Sequence, residues 1–240
     1  QIRQNSKMHA SVMERMMDEL KAVNLAPEGY DSARYKSDDL DYKRSMLNQV
    51  LGMLVEPDSD KGKKIHKHLV MLTDDFAKHA TEFRKHISTL EEKSSANTLS
   101  DVERRELKVL NDKIAVYQTL KGFQIAAENP LLIPRYLIAE CHNDVEILEA
   151  FTMLNAMEPD KTRGKYDEPK VELVPLFEHR KDVEQAPDIV LAAYKNQHFA
   201  KHHHALTDEV DPALRMPVEP KPQKSNTSIS GAVYAGGGTL

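Results

Sequence analysis

A carboxylate at the end of a hydrophobic segment is the clearest chemical signal in the sequence. Residues 171–177 are almost continuously apolar, as expected for a parallel strand that is buried on both faces, and Glu178 follows them. A helix then begins near Arg180. In β/α folds this end of a strand faces the active site, so Glu178 is a candidate site residue that offers negative charge and hydrogen-bond acceptors. The alternative is an ordinary carboxylate in a surface loop.

A second strand end repeats this arrangement. The apolar residues 136–139 follow Pro134 and lead to Glu140 and Cys141, after which Asn143 caps a helix that begins at Asp144. The two strand, loop and helix units recur within about forty residues, which is the spacing of a βαβ unit. The pattern therefore predicts neighbouring parallel strands whose polar ends lie at one edge of a sheet.

These segments resemble the middle of phosphoenolpyruvate carboxylase. The match consists of residues 132–149, the tetrapeptide Pro175-Leu176-Phe177-Glu178, the segment Ile2-Arg3-Gln4-Asn5-Ser6 with His9, and the glycine-rich residues 233–240. The resemblance implies an α/β protein with predominant helix, forming part of a β/α (TIM-type) barrel with a long helical-hairpin insertion. Because the first and last motifs are cut by the chain ends, we expect a fragment of a longer carboxylase-like chain.

The resemblance also implies roles for residues at both ends of the chain. Arg3 and His9 correspond to catalytic positions, and Arg3, Gly236 and Gly237 correspond to positions that bind the substrate anions. The glycine-rich segment departs from the family, which has histidine and arginine where this chain has Tyr234 and Gly236. Losing one stabiliser of developing negative charge typically costs about 3 kcal/mol, or roughly a hundredfold in rate.

A divalent metal is the cofactor that the resemblance implies. The family holds Mg²⁺ or Mn²⁺ with the glutamate that corresponds to Glu178 and with an aspartate in a downstream loop. Two aspartates compete for the second position: Asp211, preferred because archaeal-type relatives carry the same Asp-Pro-Ala-Leu sequence, and Asp208. Neither alignment supplies the lysine of that loop. An acidic loop without metal is the alternative reading.

Residues 60–128 are predicted to form an antiparallel helical hairpin. A coiled-coil spacing of four and three residues runs from Ile65 to Leu90, and Ser100 with Glu103 forms a capping box before a second apolar stripe. We therefore divide the chain into a barrel segment with helices at 1–59, the hairpin insertion at 60–128, and strand and helix units at 129–240. The hairpin is either an arm that binds a partner protein or a second copy, or a helical pair packed against the remaining protein.

The composition sets limits on the function. The chain has 240 residues, a net charge of −5, 40% hydrophobic and 30% charged residues, which is ordinary for a globular protein and argues against binding nucleic acid. No apolar segment approaches the length of a membrane span, and the first residues are polar, so we expect a cytoplasmic protein without a membrane partner. Cys141 is the only cysteine, and its apolar surroundings favour an inert thiol.

His198 and His202 form a second candidate metal site. They are four residues apart in a predicted helix, so both imidazoles can reach one Zn²⁺ ion. The segment lacks the glutamate of a zinc protease motif, and histidines near a helix end are also stabilised by its dipole.

Two functional readings follow from the sequence. In the preferred one the chain is a degenerate phosphoenolpyruvate carboxylase-like scaffold that is catalytically inactive and serves protein interaction. In the other it is a fragment of an active, divergent carboxylase that converts phosphoenolpyruvate and bicarbonate to oxaloacetate and phosphate. Arg3 and Glu178 favour the enzyme, whereas Tyr234 and Gly236 favour the inactive scaffold.

Overall fold

The computed structural model describes residues 2–56, 58–159, 170–208 and 234–235. Within them the chain is mainly helical. The strands are β1 (Ile2–Asn5), β2 (Arg135–Ala139), β3 (Glu172–Phe177) and β4 (Tyr234–Ala235). The helices are α1 (Ser6–Ala22), α2 (Ser32–Tyr35), α3 (Leu40–Val55), α4 (Asp60–Ser95), α5 (Asp101–Glu128), α6 (Asp144–Met157), α7 (Arg180–Tyr194) and α8 (Gln197–Asp208).

The strands form one small parallel sheet in the order β1-β2-β3-β4. Arg3 lies opposite Leu137, and Leu137 lies opposite Val174, so the first three strands are in register across the sheet. Strand β4 adds only two residues, beside Leu176 and Phe177 of β3. All four strands point the same way, and their carboxyl ends therefore lie at one edge.

The predicted TIM-type barrel is wrong. Such a barrel closes eight parallel strands on themselves, whereas the described residues form a mainly helical protein with a small parallel sheet that is not closed. Most of the chain between β1 and β2 is helical rather than built of strand and helix repeats. Strand, loop and helix units occur in open and closed sheets alike, so the local pattern could not specify closure.

Helix α6 lies at the centre of the structure. Every residue of this helix except Glu146 is buried, and it packs against α1, α3, α4, α5, α7 and β3. A helix with apolar residues all around its circumference is typically buried in the interior of a protein. Its partners contribute mostly aliphatic, methionine and phenylalanine side chains, including Met13, Leu20, Leu47, Leu51, Leu69, Phe123 and Phe199.

The buried start of α6 is held by an ion pair from α3. Both Nε and Nη2 of Arg44 donate to the carboxylate of Asp144, each at 2.7 Å. The Asp144 side chain is only 5% exposed, and the Arg44 side chain is 36% exposed. The Asn143 side chain caps the same helix by accepting from the backbone N–H of Glu146 at 3.2 Å. These contacts fix where α6 begins relative to the sheet.

Helices α4 and α5 pack against each other as an antiparallel pair. Phe76 of α4 stacks on Tyr117 of α5 at 4.5 Å between ring centroids, nearer the body of the protein. Nearer the tip is a separate apolar cluster of Ile87, Leu90, Leu99 and Leu110. The predicted capping box of Ser100 and Glu103 is confirmed. No helix in the described ranges is both long and apolar enough to span a membrane.

Glu149 of α6 is a carboxyl group buried in this core. The Tyr35 hydroxyl donates to one carboxyl oxygen at 3.3 Å, and the other oxygen has no hydrogen-bond partner among the described residues. Burial raises the pKa of Glu149 to about 8, assisted by the nearby charges of Glu146 and Glu14 and opposed by Lys43. The carboxyl group is therefore protonated in the folded protein at neutral pH.

We expect Arg44→Met to lower the free energy of unfolding by about 2 kcal/mol, because it leaves the Asp144 carboxylate buried without its cation. The partial exposure of Arg44 keeps this loss below that of a fully buried pair. Urea unfolding followed by far-UV circular dichroism measures it. Asp41→Asn is the matched control, since Asp41 also pairs with Arg44 but is 93% exposed, and it should change stability by less than about 0.5 kcal/mol. Equal effects of the two substitutions would contradict this assignment.

We expect Glu149→Gln to remove a pH dependence of stability. The unfolded chain loses the Glu149 proton near pH 4.5, whereas the folded chain keeps it to about pH 8. Stability from this group is therefore complete below pH 4.5 and falls by at most about 1.4 kcal/mol per pH unit as the pH rises to 8. Urea unfolding of both proteins at pH 5, 6, 7 and 8 tests this. If the free energy of unfolding depended on pH in the same way in the native protein and the variant, Glu149 would be ionised in the folded protein and the assignment would be wrong.

Candidate functional site at the carboxyl edge of the sheet

Three strands end at one edge and are each followed closely by a helix. Asn5 is the last residue of β1, Glu140 follows β2, and Glu178 follows β3. Helices α1, α6 and α7 begin within a few residues of these ends, so their N-termini lie at the same edge. In open α/β sheets, ligand sites form in this position. The described polar side chains at this edge are therefore the first candidates for function.

Arg3 and Glu178 form an ion pair at this edge. The Arg3 guanidinium donates to a carboxylate oxygen of Glu178, although the residues are 175 positions apart in the chain. The side chain of Arg3 is 59% exposed and that of Glu178 is 28% exposed, so both remain accessible to solvent. Arg3 and Glu178, two candidate site residues from the sequence, are therefore in contact, and their charges neutralise each other.

Glu140 has a backbone conformation that is unusual for its residue type. Its φ angle is 53°, in the left-handed region that side chains other than glycine, asparagine and aspartate rarely adopt. The Ser6 hydroxyl donates to the Glu140 carbonyl at 2.7 Å, and Lys7 Nζ lies 4.0 Å from its carboxylate. A hydrogen bond from Asn5, with smaller contributions from Lys7 and nearby histidines, lowers the pKa of the Glu140 carboxyl group. Such strain is often found at functional sites.

Two histidines and an aspartate lie together beside these residues. The Nδ1 atom of His142 is 2.7 Å from a carboxylate oxygen of Asp182, and the rings of His142 and His179 are nearly parallel with centroids 5.6 Å apart. Asp182 is only 7% exposed, whereas His179 is exposed. This cluster is not among the sites predicted from the sequence. A usable signal existed, because His142 and His179 follow strand ends just as Glu178 does.

His9 does not lie with the charged residues of the edge. It is fully buried on α1, with its ring 5.5 Å from Phe123 and 5.9 Å from Tyr136, and its Nε2 atom is 3.3 Å from the Gln4 side chain. Burial lowers the pKa of His9 to about 4, so the ring is neutral. Because successive side chains of a strand point to opposite faces, contact with Gln4 places His9 on the face away from Arg3.

The metal site that the resemblance implies is only partly described. Glu178 is at the edge, but its carboxylate accepts from Arg3, so a divalent ion must displace a guanidinium to bind there. The side chain of Asp208 and all of Asp211 lie outside the described residues, as do Gly236 and Gly237. Among the described residues Glu178 therefore supplies one of the oxygen ligands that Mg²⁺ or Mn²⁺ needs, and the set does not fit the ion as it stands.

His202 and Cys141 have structural surroundings. The Nε2 atom of His202 is 2.9 Å from the carbonyl oxygen of Val171, and burial lowers the pKa of this histidine to about 4. This hydrogen bond occupies one of the two ring nitrogens through which His202 could bind the predicted zinc ion. Burial raises the pKa of the Cys141 thiol well above its usual value, as expected for an unreactive cysteine.

We expect His9→Ala to lower the free energy of unfolding by about 2 kcal/mol, because it leaves a cavity between α1, α5 and β2. Chemical unfolding at pH 7 provides the measurement. Lys7→Ala, on the exposed side of the same helix, is the control and should cost less than about 0.5 kcal/mol. If His9→Ala left stability unchanged, His9 would not be the packing residue that its burial indicates.

Comparison with protein-family models, curated proteins and solved structures finds no match to this chain.

Proposed function

We propose that this chain is a degenerate phosphoenolpyruvate carboxylase-like scaffold that does not turn over and acts through protein interaction. The family relationship is the one that the sequence motifs imply. The observation that carries the proposal is the ion pair between Arg3 and Glu178. In the family pattern the arginine faces the reacting anions and the glutamate holds the metal, whereas here the two side chains satisfy each other.

This ion pair lowers the capacity of the edge for both ligands. A carboxylate that accepts from a guanidinium is a weaker metal ligand, because the cation must be removed before the metal can bind. In the same way, the Arg3 guanidinium offers less positive charge to a phosphate or bicarbonate ion while Glu178 neutralises it. Each ligand must therefore compete with a contact that already exists.

The substitutions in the glycine-rich segment support the same conclusion. Tyr234 and Gly236 stand where the family has histidine and arginine, so the chain lacks the imidazole and the permanently charged guanidinium there. Carboxylation by bicarbonate passes through states with developing negative charge, which these groups stabilise. Of the two arginines that the family pattern supplies, one is therefore replaced in the sequence and the other, Arg3, is paired with Glu178.

The helical hairpin is the part of the scaffold that we propose for interaction. Helix α4 has 36 residues, which corresponds to roughly 54 Å of helix. The hairpin has its own apolar cluster near the tip and exposes Met71, Val102 and Val109. Because the hairpin has its own apolar cluster, it can remain folded where it extends from the other helices. It can then present these side chains to a partner protein or a second copy. A cytoplasmic location without a nucleic-acid partner belongs to the same proposal.

An active, divergent phosphoenolpyruvate carboxylase is the second candidate. It is favoured by the meeting of Arg3, Lys7, Glu140 and Glu178 at one strand-end edge, although they come from distant parts of the sequence. In that reading Glu178 would hold Mg²⁺ or Mn²⁺, which would supply Lewis-acid chemistry. Arg3 would bind the phosphate or bicarbonate anion.

Two assays on the full-length native protein separate the candidates, because a fragment of either kind is not expected to turn over alone. The first measures bicarbonate-dependent oxaloacetate formation from phosphoenolpyruvate with Mn²⁺ or Mg²⁺, and we expect no rate above that of Glu178→Gln. The second measures Mn²⁺ binding by the loss of the free-ion electron paramagnetic resonance signal. We expect Arg3→Ala to bind Mn²⁺ at least about threefold more tightly than the native protein, because the substitution frees Glu178 and removes a nearby positive charge.

Lys7→Ala is the control, because it removes one positive charge near the same edge without freeing Glu178. A smaller gain in Mn²⁺ affinity than in Arg3→Ala supports the ion-pair argument. Oxaloacetate formation by the native protein that is abolished in Glu178→Gln would instead establish the active enzyme. Size-exclusion chromatography with light scattering tests the hairpin, and self-association that Met71→Glu abolishes would identify a second copy as the partner.

A further inference from the structure

We propose that His142, His179 and Asp182 form a binding site for Zn²⁺ at the carboxyl edge of the sheet. None of these residues belongs to the Mg²⁺ or Mn²⁺ site that the family resemblance implies. The site combines the loop after β2 with the first turn of α7, so it exists only in the folded chain. It is a second ligand site that does not depend on the carboxylase-like function.

The three side chains already lie at near-ligating distances. One candidate ligand atom from each residue can be chosen so that all three are within 4.8 Å of one another. Around a tetrahedral Zn²⁺ ion, with bonds of about 2.0–2.1 Å, ligand atoms are separated by roughly 3.4 Å. The Nδ1 atom of His142 and the Asp182 oxygen, at 2.7 Å, must therefore separate slightly to bind one ion. The His179 ring is exposed and can rotate to complete the set without movement of the backbone.

The fixed part of the site is its carboxylate. Asp182 is buried, and its backbone N–H donates to the His179 carbonyl at 2.9 Å, so the first turn of α7 holds both residues together. On the other side, the backbone N–H of His142 donates to the Glu146 carboxylate at 2.6 Å. Hydrogen bonds therefore hold the backbone at both histidines. Metal binding needs to fix only the two imidazole rings.

The local charge favours a cation despite the neighbouring helix N-termini. The positive ends of α6 and α7 oppose metal binding. Asp182 and Glu146 supply negative charge beside the imidazoles. Asp144 and Glu140 do not contribute, because Arg44 neutralises the first and Lys7 Nζ lies 4.0 Å from the carboxylate of the second. The two remaining carboxylates outweigh two helix ends of about half a charge each.

The ligand types select the metal. Two imidazole nitrogens and one carboxylate oxygen suit Zn²⁺, whereas Mg²⁺ prefers an all-oxygen site. Three protein ligands leave one coordination position for water or a substrate atom, as in catalytic zinc sites. When the ion binds through Nδ1 of His142, it takes the place of a proton on that nitrogen, and the neutral imidazole then carries its single proton on Nε2.

Cobalt and zinc titrations of the native protein, without a histidine tag, test the proposal. We expect one Co²⁺ per chain with the visible absorption of a four- or five-coordinate ion, displaced by one equivalent of Zn²⁺ and not by excess Mg²⁺. A chromophoric chelator then gives the Zn²⁺ affinity. His179→Ala should weaken it at least tenfold. This variant removes no capping hydrogen bond, because His179 precedes α7 without making one, and its circular dichroism spectrum should match that of the native protein.

The controls separate this site from other histidines and from the proposed function. His198→Ala removes a member of the zinc pair predicted from the sequence, and His86→Ala removes an exposed histidine of the hairpin. Both should leave the Zn²⁺ affinity unchanged. Glu178→Gln removes the family metal ligand and leaves Arg3 unpaired at the same edge, so it should weaken Zn²⁺ binding, but less than His179→Ala does. Failure of the native protein to bind Co²⁺, an unchanged affinity in His179→Ala, or loss of binding in His198→Ala would overturn the proposal.

Discussion

The burial of helix α6 on every side is the constraint on which the structure depends. Six surrounding elements cover this helix, and among its residues only Glu146 is not buried. Burying an apolar side chain stabilises the fold by roughly 1.5–3 kcal/mol, so a helix with this many buried residues dominates the core. The helix also buries two carboxyl groups. Arg44 neutralises Asp144, and Glu149 remains protonated.

The candidate site follows from where that helix begins. Helix α6 begins directly after the short loop that follows β2. Packing of the helix therefore fixes the positions of Glu140 and His142 in that loop relative to the end of the strand. Parallel pairing then brings the ends of β1 and β3 to the same edge, which adds Arg3 and Glu178. The buried core thus positions polar residues that contribute little to its own stability. Function at this edge can change without loss of the fold.

Local features of this protein were predictable from its sequence, and long-range ones were not. The strands around 136–139 and 172–177 followed from apolar runs with polar ends, and the capping box at Ser100 from its residue types. Closure of the sheet was not predictable, because it depends on strands beyond any local window. The pairing of Arg3 with Glu178 was likewise hidden, since family motifs give roles to single residues. Distances such as that from His142 to Asp182 arise only from packing.

Anomalous diffraction at the zinc absorption edge, from crystals of the native protein grown with Zn²⁺, tests the central claim most directly. We expect this edge to bind a metal through histidines while Arg3 and Glu178 remain paired. One strong anomalous peak should lie within about 2.2 Å of ligand atoms of His142, His179 and Asp182, with the ion pair intact. A peak on Glu178 with the Arg3 side chain displaced would contradict the account and favour a family-type metal site.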